Sequence, residues 1–431
     1  MLMLARSFGA LYLATLLMQF GSTLMMTYLA LSMANGGGEG LGGGALMAAN
    51  SLGMVLGASV GSRLIQTVGH IRTYAACAGS IAAVVLSHAF FDNLGIWLLL
   101  RCLMGVATMC QLMVLESWLN ERTHSEHRGR ALALYMVASY VGMTLGQLAL
   151  TANGDFGSQV LIVVAIAFSL CLVPVALTRS LHPAAVEPVP ISIALFLRRL
   201  PLSLATILVS GMINGSFFGL SAIYARKLGL STAEVGQFMA LAIGAGLLAQ
   251  WPLGWFSDRL PRASLIRVVA LLLSFACLPL TGIVQLTLPW LLVFSASVGF
   301  FQFCLYPLGA ALANDNIESE LRVPLAGMVL LTFGAGACLG PLIAGGVMHL
   351  YGSSWLYVYL AVCAALLAVA VSQGKVKGDH LREDAPLHQP VMPSALASSA
   401  VIASVEQSAI TDQEQPTTAS MAEQEPVQPS V

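Results

Sequence analysis

Charged residues are scarce in this chain of 431 residues: 9% are Asp, Glu, Lys or Arg, whereas 57% are hydrophobic. Soluble globular domains carry about 25% charged residues, so the composition excludes that class. With a net charge of −1, the chain also lacks the basic excess of a nucleic-acid-binding protein, and we expect no nucleic-acid partner. The mean hydropathy of +0.82 indicates a protein whose main partner is the lipid bilayer.

The spacings typical of metal sites and catalytic groups are also lacking. All eight cysteines lie inside apolar runs without zinc-ligand spacing, so we interpret them as small buried residues and not as disulfides. Only His88 and His349 lie in or near apolar runs, and neither has a His or Asp four residues away. We therefore expect no metal, no cofactor and no enzymatic activity.

Aromatic residues are absent from the end of the chain, 373–431, which contains three basic and eight acidic residues. The segment is rich in Ser, Ala, Gln, Pro and Glu. Such a composition cannot bury enough apolar surface to offset the entropy lost on folding. The sequence therefore predicts a disordered tail.

Long apolar runs dominate the rest of the chain. A bilayer core of about 30 Å needs roughly 20 apolar residues per helix, and a β-barrel would instead show short alternating segments. The chain is therefore predicted to be all-helical. Twelve spans are predicted at about 8–33, 42–66, 73–91, 95–119, 131–152, 159–178, 201–225, 235–256, 264–284, 288–313, 325–348 and 353–372.

The distribution of basic residues predicts the orientation. If the N-terminus is cytoplasmic, sixteen of the nineteen Lys and Arg residues lie on the cytoplasmic side. The exceptions are Arg226 and Lys227, which lie outside, and Arg101, which lies within a span. The positive-inside rule therefore predicts that both termini are cytoplasmic.

An internal repeat appears when the sequence is shifted against itself by 194 residues. The matches are Gly21-Ser22 with Gly215-Ser216, Gly105 with Gly299, Ser125-Glu126-His127-Arg128 with Ser319-Glu320-Leu321-Arg322, and Gly142 and Gly146 with Gly336 and Gly340. A single glycine match is weak, but a common offset on corresponding spans indicates two parallel repeats. The predicted domains are an N-terminal half at 1–178, a cytoplasmic linker at 179–200, a C-terminal half at 201–372 and the tail.

The segment Gly254-x3-Asp258-Arg259-x-Pro261-Arg262 resembles the loop signature of major facilitator transporters, Gly-x3-Asp-Arg-x-Gly-Arg, with proline in place of the second glycine. The resemblance implies that the acidic and basic residues clamp helix ends on the cytoplasmic side in the outward-open state. An Arg in such a pair is released when the halves move.

The equivalent loop of the first half keeps Gly69 and Arg72, but Gln66 and Thr67 stand where the signature has Asp and Arg. A clamp in the first half is therefore expected to be weaker. This asymmetry is the clearest departure from the family pattern.

Further sequence motifs make the resemblance more specific, down to one branch of the family. Arg101-x3-Gly105 resembles the Arg-x3-Gly element of the family, and Gly336-x3-Gly340-Pro341 resembles the kink element of antiporters. The segments 116–136 and 140–147 are similar to the YcaD-like branch of bacterial major facilitators. The resemblance covers about 5–375 and implies a multi-pass inner-membrane protein with the major facilitator fold, an all-α polytopic fold of 12 transmembrane helices in two parallel six-helix halves.

Charges inside a membrane helix are costly, roughly 2.5 to 3.5 kcal/mol each on insertion scales, so each is a functional candidate. Only Arg101 and Glu116 qualify, about 22 Å apart along one helix. Arg101 is a candidate to bind an anionic group of a substrate or, alternatively, snorkels to the outer headgroups. Glu116 is a candidate for proton coupling or for a cytoplasmic gate.

Uncharged polar residues of the first, fourth, fifth, seventh and tenth spans are further candidates for a central substrate cavity. They are Gln19, Gln111, Tyr140, Asn214, Gln302 and Tyr306. Gln302 and Tyr306 are four residues apart and share a helix face. The alternative for each is a hydrogen bond that joins neighbouring helices.

The function predicted from these observations is secondary active transport of a small organic solute by alternating access, with protons as a candidate coupling ion. The scarcity of basic residues in the spans argues against polyanionic solutes, which need paired cationic groups. A neutral, zwitterionic or singly charged solute is therefore expected, carried by a monomer. The alternative is a transporter-like receptor or scaffold that signals through its tail.

Overall fold

The computed structural model describes residues 2–35, 40–122, 125–151, 157, 159–177, 193–318 and 321–373. These residues form helices and turns, without a strand. The α-helices are α1 (Leu2–Asn35), α2 (Gly40–Val68), α3 (His70–Ser87), α4 (Leu94–Arg122), α5 (Ser125–Leu148), α6 (Gln159–Ala176), α7 (Ile193–Arg199), α8 (Pro201–Lys227), α9 (Thr232–Ser257), α10 (Arg262–Cys277), α11 (Leu288–Asp315), α12 (Arg322–Tyr351) and α13 (Trp355–Gln373). The predicted tail, apart from residue 373, lies outside the described residues.

Ten of these helices are long and apolar enough to cross a membrane, and α13 contributes a shorter apolar stretch, Trp355–Val371. In lipid, every backbone polar group needs a partner within the protein, and a helix provides these partners within a single segment. Hydroxyl side chains also find partners inside their own helix. For example, Thr15 Oγ1 donates to the Leu11 carbonyl at 2.8 Å, so these polar residues are compatible with an apolar environment.

The predicted linker, 179–200, is not entirely irregular, because α7 occupies its last part. Phe196 in α7 and Leu200 after it are 1% and 3% exposed. Their burial holds this short helix against the bundle, a contact that the polar appearance of the linker did not indicate. Residues 178–192 lie outside the described part of the chain.

The chain alternates between two ends of the bundle. One end of the bundle contains α7, the start of α8 and the connections α2–α3, α9–α10 and α11–α12. We call it the linker end. The end that contains the turns 88–93, 228–231, 278–287 and 352–354 is the opposite end. At the opposite end, α9 begins with a capping box in which Ser231 and Glu234 satisfy each other's backbone N–H groups.

The same helix pairs pack in the two series α1–α6 and α8–α13. Contacts between α2 and α4 have their counterpart between α9 and α11, and contacts between α1 and α5 have theirs between α8 and α12. Likewise, α3 packs on α4 and α6 as α10 packs on α11 and α13. The 194-residue offset therefore corresponds to equivalent packing.

Glycines of the repeat lie at these crossings. A β-carbon on Gly105 of α4 would collide with the Asn50 carbonyl of α2, and one on Gly299 of α11 would collide with the Ala242 carbonyl of α9. Gly142 and Gly336 approach α1 and α8 in the same way. Small residues allow membrane helices to approach backbone to backbone, where dispersion contacts and weak hydrogen bonds accumulate.

Two elements of the repeat are not equivalent. Gly21 packs on the Phe168 ring of α6, whereas Gly215 packs on Ala337 of α12. The second element is Gln147, which corresponds to Pro341 at the 194-residue offset. Gln147 accepts a hydrogen bond from Thr27 Oγ1 at 2.8 Å and thereby ties α5 to α1. The loop match at 125–128 and 319–322 cannot be compared, because its side chains lie outside the described part.

We expect Gly105→Ala and Gly299→Ala each to destabilise the protein by about 1–3 kcal/mol, since the added methyl group overpacks a backbone contact. Gly244→Ala on α9 is the matched control. A β-carbon there meets nothing within 4 Å, so the gain in helix propensity, at most about 1 kcal/mol, remains. Thermal unfolding in detergent measures all three, and equal shifts would contradict this account of the crossings.

Candidate functional site

A cavity of about 70 Å³ lies between the two series. It is large enough for several water molecules. Its lining comes from both series: Gln19, Ser22, Thr23, Met26, Met47, Asn50, Ser51, Met54, Arg101, Met104, Thr108, Leu112, Met143, Asn214, Gly215, Phe218, Phe333 and Ala337. The lining combines an arginine and several amides with many apolar side chains.

Three of the predicted cavity residues, Gln19, Arg101 and Asn214, line this cavity. They lie on α1, α4 and α8. The Asn214 amide nitrogen donates to the Ser210 carbonyl at 2.9 Å, while its oxygen Oδ1 is buried without a hydrogen-bond partner among the described residues. That oxygen is available to accept from a bound solute.

Arg101 is buried, with 3% of its surface exposed. Its Nη1 donates to the Met104 sulfur at 3.4 Å, and its Nε has no partner in the described part of the chain. It also lines a second, smaller cavity toward the opposite end, together with Met26, Met47 and Gly219. Its position is thus inside the bundle, next to the central cavity.

Five polar residues of the lining were not predicted from the sequence. Two of them, Ser22 and Thr23, lie on α1. Asn50 and Ser51 of α2 and Thr108 of α4 contribute to the cavity and are at most 9% exposed. Asn50 interrupts an otherwise small and apolar stretch of its span, and this was the one signal that could have identified it.

The remaining cavity candidates, Gln111, Tyr140, Gln302 and Tyr306, are buried but do not line this cavity. Gln302 has neither amide atom paired among the described residues, and the same holds for the Tyr306 hydroxyl. The Gln111 amide nitrogen contacts the Cys171 sulfur at 3.8 Å, an interhelical contact between α4 and α6.

Tyr140 lies at a contact between the two series. Its hydroxyl accepts from Gln250 Nε2 at 3.5 Å, and its ring meets the edge of Phe303 with centroids 5.8 Å apart. Phe303 in turn packs on Phe218, a cavity residue, at 5.9 Å between centroids. This aromatic contact therefore connects α5, α8, α9 and α11 beside the cavity.

Glu116 is buried near the linker end of α4, with 3% of its surface exposed. It accepts a hydrogen bond from the Tyr135 hydroxyl of α5 at 3.1 Å. This hydrogen bond joins α4 to α5 within the first series.

The two series make close contacts at the opposite end. A β-carbon on Gly44 of α2 would collide with the Pro341 carbonyl of α12, and Gly40 and Gly345 approach each other similarly. Nearby, Arg226 Nε of α8 donates to Asn35 Oδ1 of α1 at 3.2 Å. A solute can reach the cavity from this end only if these contacts separate.

The loop motif lies at the linker end, between α9 and α10. Arg262 donates from Nη1 to the Ala311 carbonyl at 3.0 Å and forms an ion pair with Asp315, both at the end of α11. Arg259 lies over the Trp255 ring, 4.1 Å from its centroid. Asp258 is the exposed C-cap of α9, one turn after Gly254.

The corresponding turns of the two series differ in backbone conformation. Gly69, between α2 and α3, has φ 84°, a left-handed conformation that favours glycine. Pro261, at the equivalent position before α10, has φ −57°, as its ring requires. The replacement of the second glycine of the signature by proline therefore changes the turn itself.

Comparisons with known proteins agree with this architecture. A sequence profile described as Major Facilitator Superfamily matches residues 11–323. The chain is 30% identical over 317 residues to an uncharacterised MFS-type transporter of Enterobacter sp. (strain 638), covering 72% of this chain and 81% of that protein. It is also 30% identical over 303 residues to the uncharacterised MFS-type transporter YcaD of Salmonella enteritidis PT4, covering 69% of this chain and 77% of the relative.

Solved structures share the fold at low sequence identity. A point mutant of the nucleoside transporter NupG superposes with a TM-score of 0.72 at 15% identity, covering 84% of this chain and 98% of that one. A D-xylose-proton symporter gives 0.66 at 12% identity and covers 84% and 96%. A bacterial homologue of the human lysosomal transporter Spinster, inward-facing and occupied, gives 0.67 at 15% identity and covers 94% and 97%.

We expect Arg262→Gln to destabilise the protein by about 1.5–3 kcal/mol, because it removes charge-assisted hydrogen bonds that hold the start of α10 to the end of α11. Arg267→Gln on the exposed face of α10 is the control, and its effect should stay within about 0.5 kcal/mol. The measurement is thermal unfolding in detergent. Indistinguishable midpoints for the two variants would show that the Arg262 contacts contribute nothing to stability.

Proposed function

Because the chain belongs to the Major Facilitator Superfamily, we propose that it carries a small organic solute through its central cavity by alternating access between two six-helix halves. The observation that supports this most directly is the cavity itself. It contains polar side chains from both series, and the two series close it from one end by close contacts. A transporter of this kind exposes such a site to the two sides of the membrane in turn.

The proposed halves are 1–178 and 201–372, joined by the linker 179–200, with the tail 373–431 as a separate segment. Equivalent packing of α1–α6 and α8–α13 supports this division. We propose twelve spans. Besides the ten long apolar helices, α3 and α13 pack within the two series, as expected for six helices in each half. The proposed transporting unit is a monomer.

The proposed orientation places the linker end in the cytoplasm of a bacterial cell, with both termini on that side. Sixteen of nineteen basic residues support it through the positive-inside rule. In this orientation the contacts at Gly40 and Gly44 lie on the outer side of the inner membrane, and the conformation described is closed to the outside. The Asp258 and Arg259 motif would then clamp the cytoplasmic side in the opposite, outward-open conformation.

The proposed solute is neutral, zwitterionic or singly charged. The cavity lining contains one charged side chain, Arg101, among the described residues. A polyanion such as a sugar phosphate usually requires paired arginine or lysine groups. Uptake and efflux are both compatible with this site.

Alternating access is testable without a known solute. In a variant whose eight native cysteines are replaced, Ser22→Cys reports on the cavity, and Asn35→Cys with Arg226→Cys places two thiols across the contact at the opposite end. A short, impermeant methanethiosulfonate crosslinker should slow maleimide labelling of Ser22→Cys from that side by about tenfold or more, because labelling follows the population of the open state.

Two controls make this experiment specific. Reduction of the crosslink should restore labelling of Ser22→Cys. A variant that carries Ser22→Cys with only one of the two outer cysteines cannot be crosslinked, so after treatment with the reagent its Ser22→Cys should label as in the untreated protein. If crosslinked and reduced proteins label at the same rate, the contact at Asn35 and Arg226 does not have to open, and the proposed alternating access through this end is wrong.

Proton coupling through Glu116 predicts a pH response. The thiolate is the reactive form of a cysteine, so each labelling rate is divided by that of an exposed cysteine at the same pH. We expect this relative rate for Ser22→Cys to change between mildly acidic and mildly alkaline buffer, and Glu116→Gln to remove the change. The amide imitates the protonated carboxyl group, so the variant at alkaline pH should behave like the unsubstituted reporter at acidic pH.

The matched control for this test is Asp92→Asn, which alters an exposed carboxylate outside the cavity and should preserve the pH response. If Glu116→Gln retains the full response, Glu116 acts only as a gate that is anchored by Tyr135. A relative labelling rate of Ser22→Cys that is independent of pH in the variant with an intact Glu116 would exclude proton coupling of this movement altogether.

A further inference from the structure

The guanidinium of Arg101 is a buried cation whose hydrogen-bonding capacity is largely unused. A guanidinium carries five N–H donors. One of them meets the Met104 sulfur, a weak acceptor, and Nε is buried without any partner among the described residues. Buried charges in proteins are normally paired and fully hydrogen-bonded, so this site lacks a strong acceptor.

The protein supplies no carboxylate for this role in the part that the structure describes. Two ion pairs of the described residues, Arg199 with Glu318 and Arg262 with Asp315, lie at the linker end of the bundle and leave Arg101 aside. Glu116, on the same helix as Arg101, is about 22 Å away along the axis. Among the described residues the acceptor is thus missing, and the carboxylate of a molecule that enters the cavity would supply it.

The surface next to Arg101 is apolar and adaptable. Five methionines line the cavity and form what we call the methionine surface: Met26, Met47, Met54, Met104 and Met143. Phe218 and Phe333 add aromatic rings. Unbranched thioether side chains can repack around ligands of different shape, and their sulfur atoms make favourable contacts with aromatic rings.

From this combination we infer that the transported solutes are organic monocarboxylates with an apolar body. The carboxylate binds the Arg101 guanidinium, and the apolar body packs on the methionine surface and the two phenylalanines. This inference rests on the proposed transport function and narrows its solute class. The planar fork of arginine matches a carboxylate through two parallel hydrogen bonds, which a neutral or cationic headgroup cannot provide.

Other ligand classes fit the same groups less well. A soft metal ion would suit the thioether sulfurs but would be repelled by the arginine among them. A dianion would leave one charge without a cationic partner in the described lining, where Arg101 is the sole charged residue. A sugar or nucleoside would satisfy Asn214 but leave the positive charge unpaired.

The test uses the purified full-length protein and solutes that share one apolar body but differ in their headgroups. Phenylbutyrate, phenylbutanamide and phenylbutylamine keep the apolar body, while acetate and chloride keep only the anion. Calorimetric titration should show binding of phenylbutyrate, with the amide, the amine, acetate and chloride each at least about tenfold weaker. Arg101→Gln should weaken phenylbutyrate binding by at least about 30-fold, as expected for loss of one partner of a buried charge pair.

Two further variants separate recognition from folding. Arg101→Lys keeps the charge without the planar fork and should recover part of the affinity lost in Arg101→Gln. Arg267→Gln, on the exposed face of α10, should bind phenylbutyrate like the wild type. If Arg101→Gln does not fold, the headgroup series on the wild type and the Lys variant decide the question.

Several results would overturn the inference. They are tighter binding of the amide or the amine, binding of chloride or acetate with no contribution from the apolar body, absence of carboxylate binding, and full affinity in Arg101→Gln. None of these affects the crosslinking test of alternating access, which uses no solute. A transporter with another solute class is thereby distinguished from a protein that does not transport.

Discussion

Backbone contact at glycines is the constraint on which the rest of this bundle depends. Inside a bilayer, the hydrophobic effect gives helices little reason to associate, so close packing has to supply the attraction. Gly105 and Gly299 allow α4 and α11 to touch α2 and α9, and Gly142 and Gly336 do the same for α5 and α12. With these crossings fixed, the remaining helices have few alternative positions, and the cavity lies where polar side chains interrupt the close packing.

The opposite end uses the same kind of contact for a different purpose. Gly40 and Gly44 bring α2 against α12 across the two series. A contact built from backbone and small side chains contains few interlocked rotamers, so little has to be rearranged when it separates. Within each series, by contrast, side-chain hydrogen bonds reinforce the glycine crossings, as Gln147 does between α5 and α1.

Apolar run lengths predicted an all-helical chain, and ten of the described helices are long and apolar enough to cross a membrane, because a bilayer leaves a hydrophobic segment few alternatives to a helix. The site was harder to predict. Gln19, Arg101 and Asn214 line the cavity, whereas Gln302 and Tyr306 share a helix face as expected but pack elsewhere. Helical periodicity shows which residues share a face but not which neighbour that face meets. Asn50 was missed for the same reason, and α7 was missed because two buried apolar residues in a polar linker are a weak signal.

The burial of Arg101 also constrains how the chain is inserted into the membrane. Arg101 lies about two turns after the start of α4. An arginine inside a helix that enters lipid alone is unfavourable, by roughly 2.5–3.5 kcal/mol at the helix centre. Its neighbours in the second, smaller cavity include Met26 of α1 and Met47 of α2, both of which precede α4 in the chain. During synthesis, these two helices have therefore already left the ribosome when α4 emerges. The order of the helices thus lets α4 leave the translocon against existing protein partners instead of bare lipid.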